Sequence, residues 1–317
     1  MISAQVNNGA GLPLVVFDFV PGNSGTPDDP EWVKMTGHPA YRADDALWLF
    51  PTVWKYVAES GNKDYIKVCI SDIADRIDWT MFLSAWGLKG HFPEILSDPQ
   101  RGQEAAKVYN DAKEMLVLMQ QKNLITLQAT ARILPAYSND SDCIIITADG
   151  KEYSLPFPRS LKPEEQTHCL ADHIMRGYRA RRLSVCPCCQ GQHATDFICP
   201  FIVTAGPGLK ALQEQYRSDS DEYHAIMAKL LADRLAEALA QHLQEHMQTH
   251  LFWGTSGIRM AFGYGACPDH SLKVPVLDML HAADFMDIEL TETNMINPGE
   301  SICGLIFANT PLNYFNV

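Results

Sequence analysis

The sequence predicts a protein of the α+β class. Two long segments repeat apolar residues at helical spacing, and several short runs rich in β-branched residues are bounded by turn residues. Strands and helices do not follow one another in the strict βαβ order that builds a parallel sheet. The 317 residues suffice for one large domain or two modest ones, and a hydrophobic share of 46% is ordinary for a protein with a sizeable core.

The first 70 residues form a segment to which the sequence assigns no role. An apolar run at residues 12–20 predicts a strand, and a stretch rich in Gly, Asp and Pro follows it. Residues 43–59 predict a helix, because an aspartate able to cap the first turn stands at its start. We therefore treat residues 1–70 as an N-terminal extension.

Two helices are predicted in the remainder of the chain. Residues 103–121 place one apolar stripe on a helix, and residues 221 to about 250 give the longest helix. The stripe of the first helix consists of Val108, Ala112, Met115, Leu116 and Met119. The stripe of the second consists of Met227, Leu231, Leu235 and Ala238.

Strands are predicted between and after these helices. Residues 125–153 contain a β-branched run at 144–147 and an Asp-Gly turn, which together predict a hairpin. Residues 197–204 and 301–308 predict two further strands of apolar, small and branched residues.

Composition excludes several classes of function. The chain carries 38 acidic and 25 basic residues, which disfavours nucleic-acid binding because phosphates require a basic footprint. No apolar run reaches about 18 residues, so no membrane span is predicted. The first 11 residues lack the features of a signal peptide, and we expect a cytoplasmic protein whose nine cysteines are free thiols or metal ligands.

The stretch most indicative of a binding site is residues 257–270, Gly-Ile-Arg-Met-Ala-Phe-Gly-Tyr-Gly-Ala-Cys-Pro-Asp-His. It holds one arginine, Arg259, and the aromatic Tyr264 among glycines. A guanidinium is a forked donor suited to a carboxylate, and glycines let a ligand approach the backbone. An arginine in such a turn is otherwise a surface salt-bridge partner, so these residues alone indicate only a small-anion site.

Three further stretches carry chemically suggestive residues. Asp78 lies in Ile-Asp-Trp-Thr, where an aspartate by itself indicates a helix cap. Glu237 lies in Ala-Asp-Arg-Leu-Ala-Glu-Ala on the long helix, where it could form an ordinary ion pair with the arginine three residues before it. Tyr314 and Phe315 follow the last predicted strand, where an aromatic pair is usually packing.

Together these four stretches resemble the reactivation domain of cobalamin-dependent methionine synthase, over about residues 71–317. The resemblance implies a single large domain with a twisted, mainly antiparallel sheet flanked by helices. It also implies that the domain binds S-adenosylmethionine, with the carboxylate of Asp78 accepting from the amino group. The cofactor-binding residues that it implies are Asp78, Glu237, Arg259, Ala261, Tyr264, Tyr314 and Phe315.

The reaction implied by the resemblance is a reductive methylation in methionine biosynthesis. Cob(II)alamin gains an electron from a flavodoxin-type donor, and the cobalt takes the methyl group of S-adenosylmethionine. The domain then needs no catalytic base and contributes by holding methyl and metal in line. The sequence has no Asp-x-His-x-x-Gly cobalamin motif, so we expect the cobalamin on a separate methionine synthase module.

Other departures from the family favour an alternative function. The link between the long helix and Arg259 is much shorter than in the family, which removes a loop with an acidic residue near the site. The alternative is therefore a non-catalytic module that binds S-adenosylmethionine, or only docks, and regulates a methyltransferase.

An insertion at about residues 176–196 is rich in cysteine. Thiolates and imidazoles at short spacing suit tetrahedral zinc, whereas reduced loop thiols are the simpler interpretation. The candidate zinc ligands are Cys186, Cys188, Cys189, His193 and Cys199.

The long helix also contains His242-Leu-Gln-Glu-His246, which fits the His-x-x-Glu-His pattern of a zinc peptidase. Both histidines would share one helix face, and the glutamate between them, Glu245, could act as a base. A five-residue pattern arises easily in a histidine-rich helix, so a peptidase is the least favoured function.

Overall fold

The computed structural model describes residues 2–7, 14–19, 68–139, 141–159, 168–174, 196–250 and 257–307. Strands β1 (Ile2–Asn7) and β2 (Leu14–Phe19) pair antiparallel with each other, which confirms the strand predicted at residues 12–20. The helix predicted at residues 43–59 lies outside the described residues.

Six α-helices lie among the described residues from 68 to 307. They are α1 (Ile70–Ile73), α2 (Trp79–Ala85), α3 (Gly102–Gln121), α4 (Leu209–Ser218), α5 (Glu222–His250) and α6 (Lys273–Met279). Both predicted stripes are buried in α3 and α5, so the two helices and their inward faces are confirmed. No described helix is both long enough and apolar enough to cross a membrane.

The main sheet has seven strands. They are β3 (Gln128–Ala131), β4 (Leu134–Ser138), β5 (Cys143–Ala148), β6 (Lys151–Pro156), β7 (Asp196–Thr204), β8 (Ile258–Ala261) and β11 (Ser301–Phe307). The order is β6-β5-β4-β7-β11-β8, and β3 also pairs with β7 beside β4. Two short strands, β9 (Glu289–Leu290) and β10 (Ile296–Asn297), pair separately with each other.

Every strand pair is antiparallel, so the predicted α+β fold with a mainly antiparallel sheet is confirmed. The predicted hairpin is β5–β6, and its turn is the Asp-Gly pair identified in the sequence. Asp149 has φ 51° and Gly150 has φ 78°, the left-handed values that a two-residue hairpin turn requires. The strand predicted at residues 197–204 is β7, which lies at the centre of the sheet.

Alternation along the strands assigns side chains to two opposite faces. Ile198 and Ile202 of β7 join a core with Val276 of α6. Cys199, between them, faces α5 instead, because its Sγ lies 3.5 Å from the Sδ of Met247. The sheet therefore separates an α6 side from an α5 side.

The same alternation positions β8, the last strand of the sheet. Met260 belongs to the core on the α6 side. Its neighbours Arg259 and Ala261 therefore lie on the α5 side, where the sheet meets the longest helix. Residues on this edge strand stand next to Gly304 and Ile306 of β11.

The approach of β8 to β11 depends on a glycine. Gly304 lies opposite Ala261, and a β-carbon on Gly304 would come within 2.0 Å of the carbonyl oxygen of Met260. No side chain fits at that separation, so the distance between the two strands requires glycine at this position.

We predict that Gly304→Ala destabilises the protein by about 2 kcal/mol, because an added methyl group in a packed sheet forces the strands apart. The measurement is the midpoint of urea or thermal unfolding. Gly299→Ala is the matched control, since a β-carbon there meets no heavy atom within 4 Å. Equal midpoints for the two variants would contradict the prediction.

Candidate functional site

Arg259 lies in the middle of β8 and pairs with Ile306 of β11 in the ladder. Its Nη2 donates to Oε2 of Glu237 on α5 at 3.4 Å. The arginine side chain is 18% exposed, whereas that of Glu237 is 51% exposed. A pair with one half-exposed partner contributes at most about 1 kcal/mol to stability. The structure thus brings two predicted site residues together in a contact that does little to hold the fold.

Glu237 begins a row of polar side chains at four-residue spacing along α5. Gln241 donates from Nε2 to Oε1 of Glu245 at 2.8 Å. Nε of Arg76 donates to Oε2 of Glu245 at 2.6 Å. Burial opposes ionisation of Glu245, but the hydrogen bonds from Arg76 and Gln241 hold the pKa of its carboxyl below the ordinary value. The segment before α2 is thereby fixed on the helix face that carries Glu237.

Asp78 follows Arg76 by two residues and is the N-cap of α2. Its Oδ1 accepts from the backbone N–H of Met81 at 2.9 Å, so the helix-cap interpretation is correct. The side chain is exposed, and Oδ2 accepts no hydrogen bond from the residues that the structure describes. The carboxylate can therefore cap the helix and still accept from a ligand.

A tight turn follows β8 and presents Tyr264. Gly263 and Gly265 both have positive φ, 97° and 49°. Gly263 donates its N–H to the carbonyl of Cys267 at 2.7 Å, and Cys267 donates to the carbonyl of Tyr264 at 2.9 Å. Tyr264 itself is 75% exposed. A large exposed aromatic side chain on a closed turn is positioned to contact a ligand or partner.

Ala261 lies between Arg259 and the turn, opposite Gly304. Two of the smallest residues thus stand side by side on the α5 side of the sheet. An alanine side chain offers no polar group, so any polar contact with a ligand at this position would come from its backbone. Tyr314 and Phe315 lie outside the described residues and stay predictions.

These features define an α+β domain with a partly exposed site of mixed charge where the last strand of an antiparallel sheet meets a long helix. A family model of the vitamin B12 dependent methionine synthase activation domain matches residues 69–317. The chain belongs to this family.

A solved structure agrees with this assignment. The crystal structure of the MetH reactivation domain bound to AdoHcy superposes with a TM-score of 0.69 at 29% sequence identity. The match covers 79% of each chain. The resemblance inferred from the sequence is confirmed at the level of family and fold.

The sequence did not reveal the contacts that support the site. Arg76 and Glu245 are 169 positions apart, and no local pattern joins them. Gln244 donates from Nε2 to the carbonyl of Gly257 at 2.9 Å and so ties α5 to the start of β8. Gly304 did carry a signal, because a glycine inside an otherwise branched strand marks a close backbone approach.

The zinc prediction rests mainly on residues outside the described part of the chain, namely Cys186, Cys188, Cys189 and His193. The described member, Cys199, is fully buried, and burial raises the pKa of its thiol well above the ordinary value. Its Sγ contacts Met247. These surroundings favour the neutral thiol over the thiolate that zinc requires. The cysteine site stays a prediction.

In the described part of the chain, the peptidase pattern on α5 lacks the partners of a metal site. Its glutamate, Glu245, pairs instead with Arg76 at 2.6 Å. Among the described residues, no group of three or more His, Cys, Asp or Glu side chains could hold a metal ion.

We predict that His246→Ala leaves the metal content of the purified protein unchanged, because the α5 pattern offers no metal geometry. Elemental analysis of the purified wild type and variant measures the metal content. Any zinc present should instead disappear in Cys186→Ser. Loss of zinc in His246→Ala with retention in Cys186→Ser would contradict this and favour the peptidase.

Proposed function

We propose that this chain binds S-adenosylmethionine and supports reductive methylation of cob(II)alamin carried by a separate methionine synthase or related corrinoid protein. Membership of the activation-domain family and the likeness to a MetH domain bound to AdoHcy support the proposal. The proposed binding residues are Asp78, Glu237, Arg259, Ala261, Tyr264, Tyr314 and Phe315.

The observation that carries the proposal is the Arg259–Glu237 contact at the edge of the sheet. S-adenosylmethionine has a carboxylate, an ammonium and a sulfonium. A guanidinium is the donor that suits the carboxylate, and a half-exposed carboxylate suits either cation. Tyr264, exposed on its turn, can offer an aromatic face to a positive group.

The chain's own contribution is to bind and orient the methyl donor. The sulfur–carbon bond breaks, its electron pair stays on sulfur, and the methyl group passes to the cobalt of the corrinoid. S-adenosylhomocysteine is the product, and a flavodoxin-type donor supplies the electron that cob(II)alamin requires. No side chain needs to gain or lose a proton, so effective positioning is the whole of the protein's task.

The absence of an Asp-x-His-x-x-Gly cobalamin motif from the 317 residues supports the proposal of a corrinoid partner. We propose that cobalamin-binding methionine synthase modules act in trans and that the encounter takes place in the cytoplasm.

A non-catalytic module is the second candidate. The same missing motif favours it, together with the short link of residues 251–256 between α5 and β8. Such a module would bind the cofactor without delivering its methyl group.

We predict that Arg259→Ala weakens binding of S-adenosylmethionine by roughly tenfold to a hundredfold, because hydrogen bonds to charged groups contribute about 1.5–3 kcal/mol. Isothermal titration calorimetry measures the dissociation constant. Arg217→Ala is the matched control, since Arg217 also pairs with a glutamate, Glu222, at 3.4 Å but lies on α4. Equal effects of the two substitutions would contradict a site at Arg259.

We predict that methyl-labelled S-adenosylmethionine transfers its label to cob(II)alamin when this chain, a cobalamin-binding methionine synthase module and a reductant are combined. Transfer should be slower with Arg259→Ala because the donor is poorly held. The label on the corrinoid is measured after separation. Binding of S-adenosylmethionine without any transfer would favour the non-catalytic module.

A further inference from the structure

Lys273 is a buried cation behind the candidate site. It begins α6 and is only 6% exposed, next to an apolar core. Lysine is rarely buried without a partner, because the charged form loses its hydration. Burial accordingly lowers the pKa of Lys273. The partner is His270, whose Nδ1 lies 2.7 Å from the lysine Nζ.

The imidazole of His270 in turn lies against the backbone of the Tyr264 turn. A β-carbon on Gly263 would come within 2.3 Å of His270 Cε1, so ring and glycine are in close contact. Gly263 also has φ 97°, which a residue with a side chain rarely adopts. The position therefore needs glycine both for its conformation and for the space that the ring occupies.

Two hydrogen bonds attach the Tyr264 turn and the helical turn of His270 to the rest of the fold. Asp269 accepts from the backbone N–H of Ser271 at 2.7 Å and so starts the helical turn that carries His270. Phe262 donates to the carbonyl of Cys303 at 3.0 Å and so continues the β8–β11 ladder up to the turn. Movement of the His270 ring would thus be transmitted to Gly263 and Tyr264.

We propose that Lys273 and His270 are positioning residues, which hold the turn of residues 263–267 that presents Tyr264. The ligand part of this proposal rests on the proposed function, whereas the effect on the turn does not. Neither residue touches the reacting atoms. Each acts through the backbone of Gly263.

The pair accommodates a single positive charge. A charged lysine has only donors, so Nδ1 of His270 must accept from it, and the ring must carry its proton on Nε2. A second proton would remove that acceptor and place two positive groups 2.7 Å apart. The contact therefore holds only while Nδ1 accepts from the lysine Nζ.

The groups that face the pair do not offset a second charge. Cys303 of β11 is buried, and burial raises the pKa of its thiol well above the ordinary value. Burial also raises the pKa of Cys267 to about 12, so both thiols stay neutral. Asp269 is exposed and engaged with Ser271, at the far end of the helical turn.

The test compares wild type with two variants at neutral pH. His270→Asn keeps an acceptor at the position of Nδ1 but lacks the ring atoms that contact Gly263. Lys273→Met removes the charge while keeping the length of the side chain. Lys107→Met is the control, because Lys107 pairs with Asp111 on α3 and is 67% exposed.

Two quantities are measured in each protein. One is the hydrogen-exchange protection of the amides of residues 263–267, which requires no ligand. The other is the dissociation constant for S-adenosylmethionine. In Lys273→Met we expect both protection and affinity to fall roughly tenfold, as the turn opens locally.

The second variant should behave in the same way. His270→Asn loses the ring atoms that contact Gly263, so protection and affinity should fall as they do in Lys273→Met. The Lys107→Met control should follow wild type. If Lys273→Met does not fold, the comparison of wild type with His270→Asn decides the proposal alone.

Wild-type protection of residues 263–267 in either His270→Asn or Lys273→Met would overturn the proposal. A different outcome would count against the proposed function instead. If protection changes as expected but no protein binds S-adenosylmethionine, then the positioning pair stands and the cofactor assignment fails.

Discussion

The alternation of side chains along an antiparallel edge strand is the constraint on which this site depends. β8 pairs with β11 so that Met260 enters the core on the α6 side, and Arg259 must then face α5. A shift of one residue in that register would bury the guanidinium and expose the methionine. Gly304 fixes the register from the other strand, because only a glycine allows the carbonyl of Met260 to approach so closely.

The charged residues of the site add little to the stability of the fold. Arg259 and Glu237 meet at 3.4 Å with Glu237 half exposed, and such pairs contribute at most about 1 kcal/mol. The core is instead supplied by apolar faces, among them the stripes of α3 and α5 and strand β7, which is buried from residue 198 onward. The site can therefore present charge to a ligand while the sheet and helices supply rigidity, which is the arrangement that a binding site requires.

The sequence predicted helices and strands well where apolar or branched residues followed one clear local pattern. The stripes of α3 and α5, the branched run of β5 and its Asp-Gly turn each have one local interpretation, and the structure confirms all of them. The candidate residues came from a family resemblance rather than from periodicity. No local pattern could reveal that Arg76 reaches Glu245, because this contact joins segments that meet only in the folded chain.

The order of the strands along the chain has a consequence for biosynthesis. Among the described residues β8 pairs only with β11, which is made more than forty residues later, and β11 in turn pairs with β7, about a hundred residues before it. A ribosome releases the polypeptide from the N-terminus, so the strand bearing the guanidinium emerges without a neighbour to dock on. Such non-local pairing is slow to form. A nascent polypeptide halted before β11 would hold most of the apolar core yet lack the paired edge strand that carries Arg259.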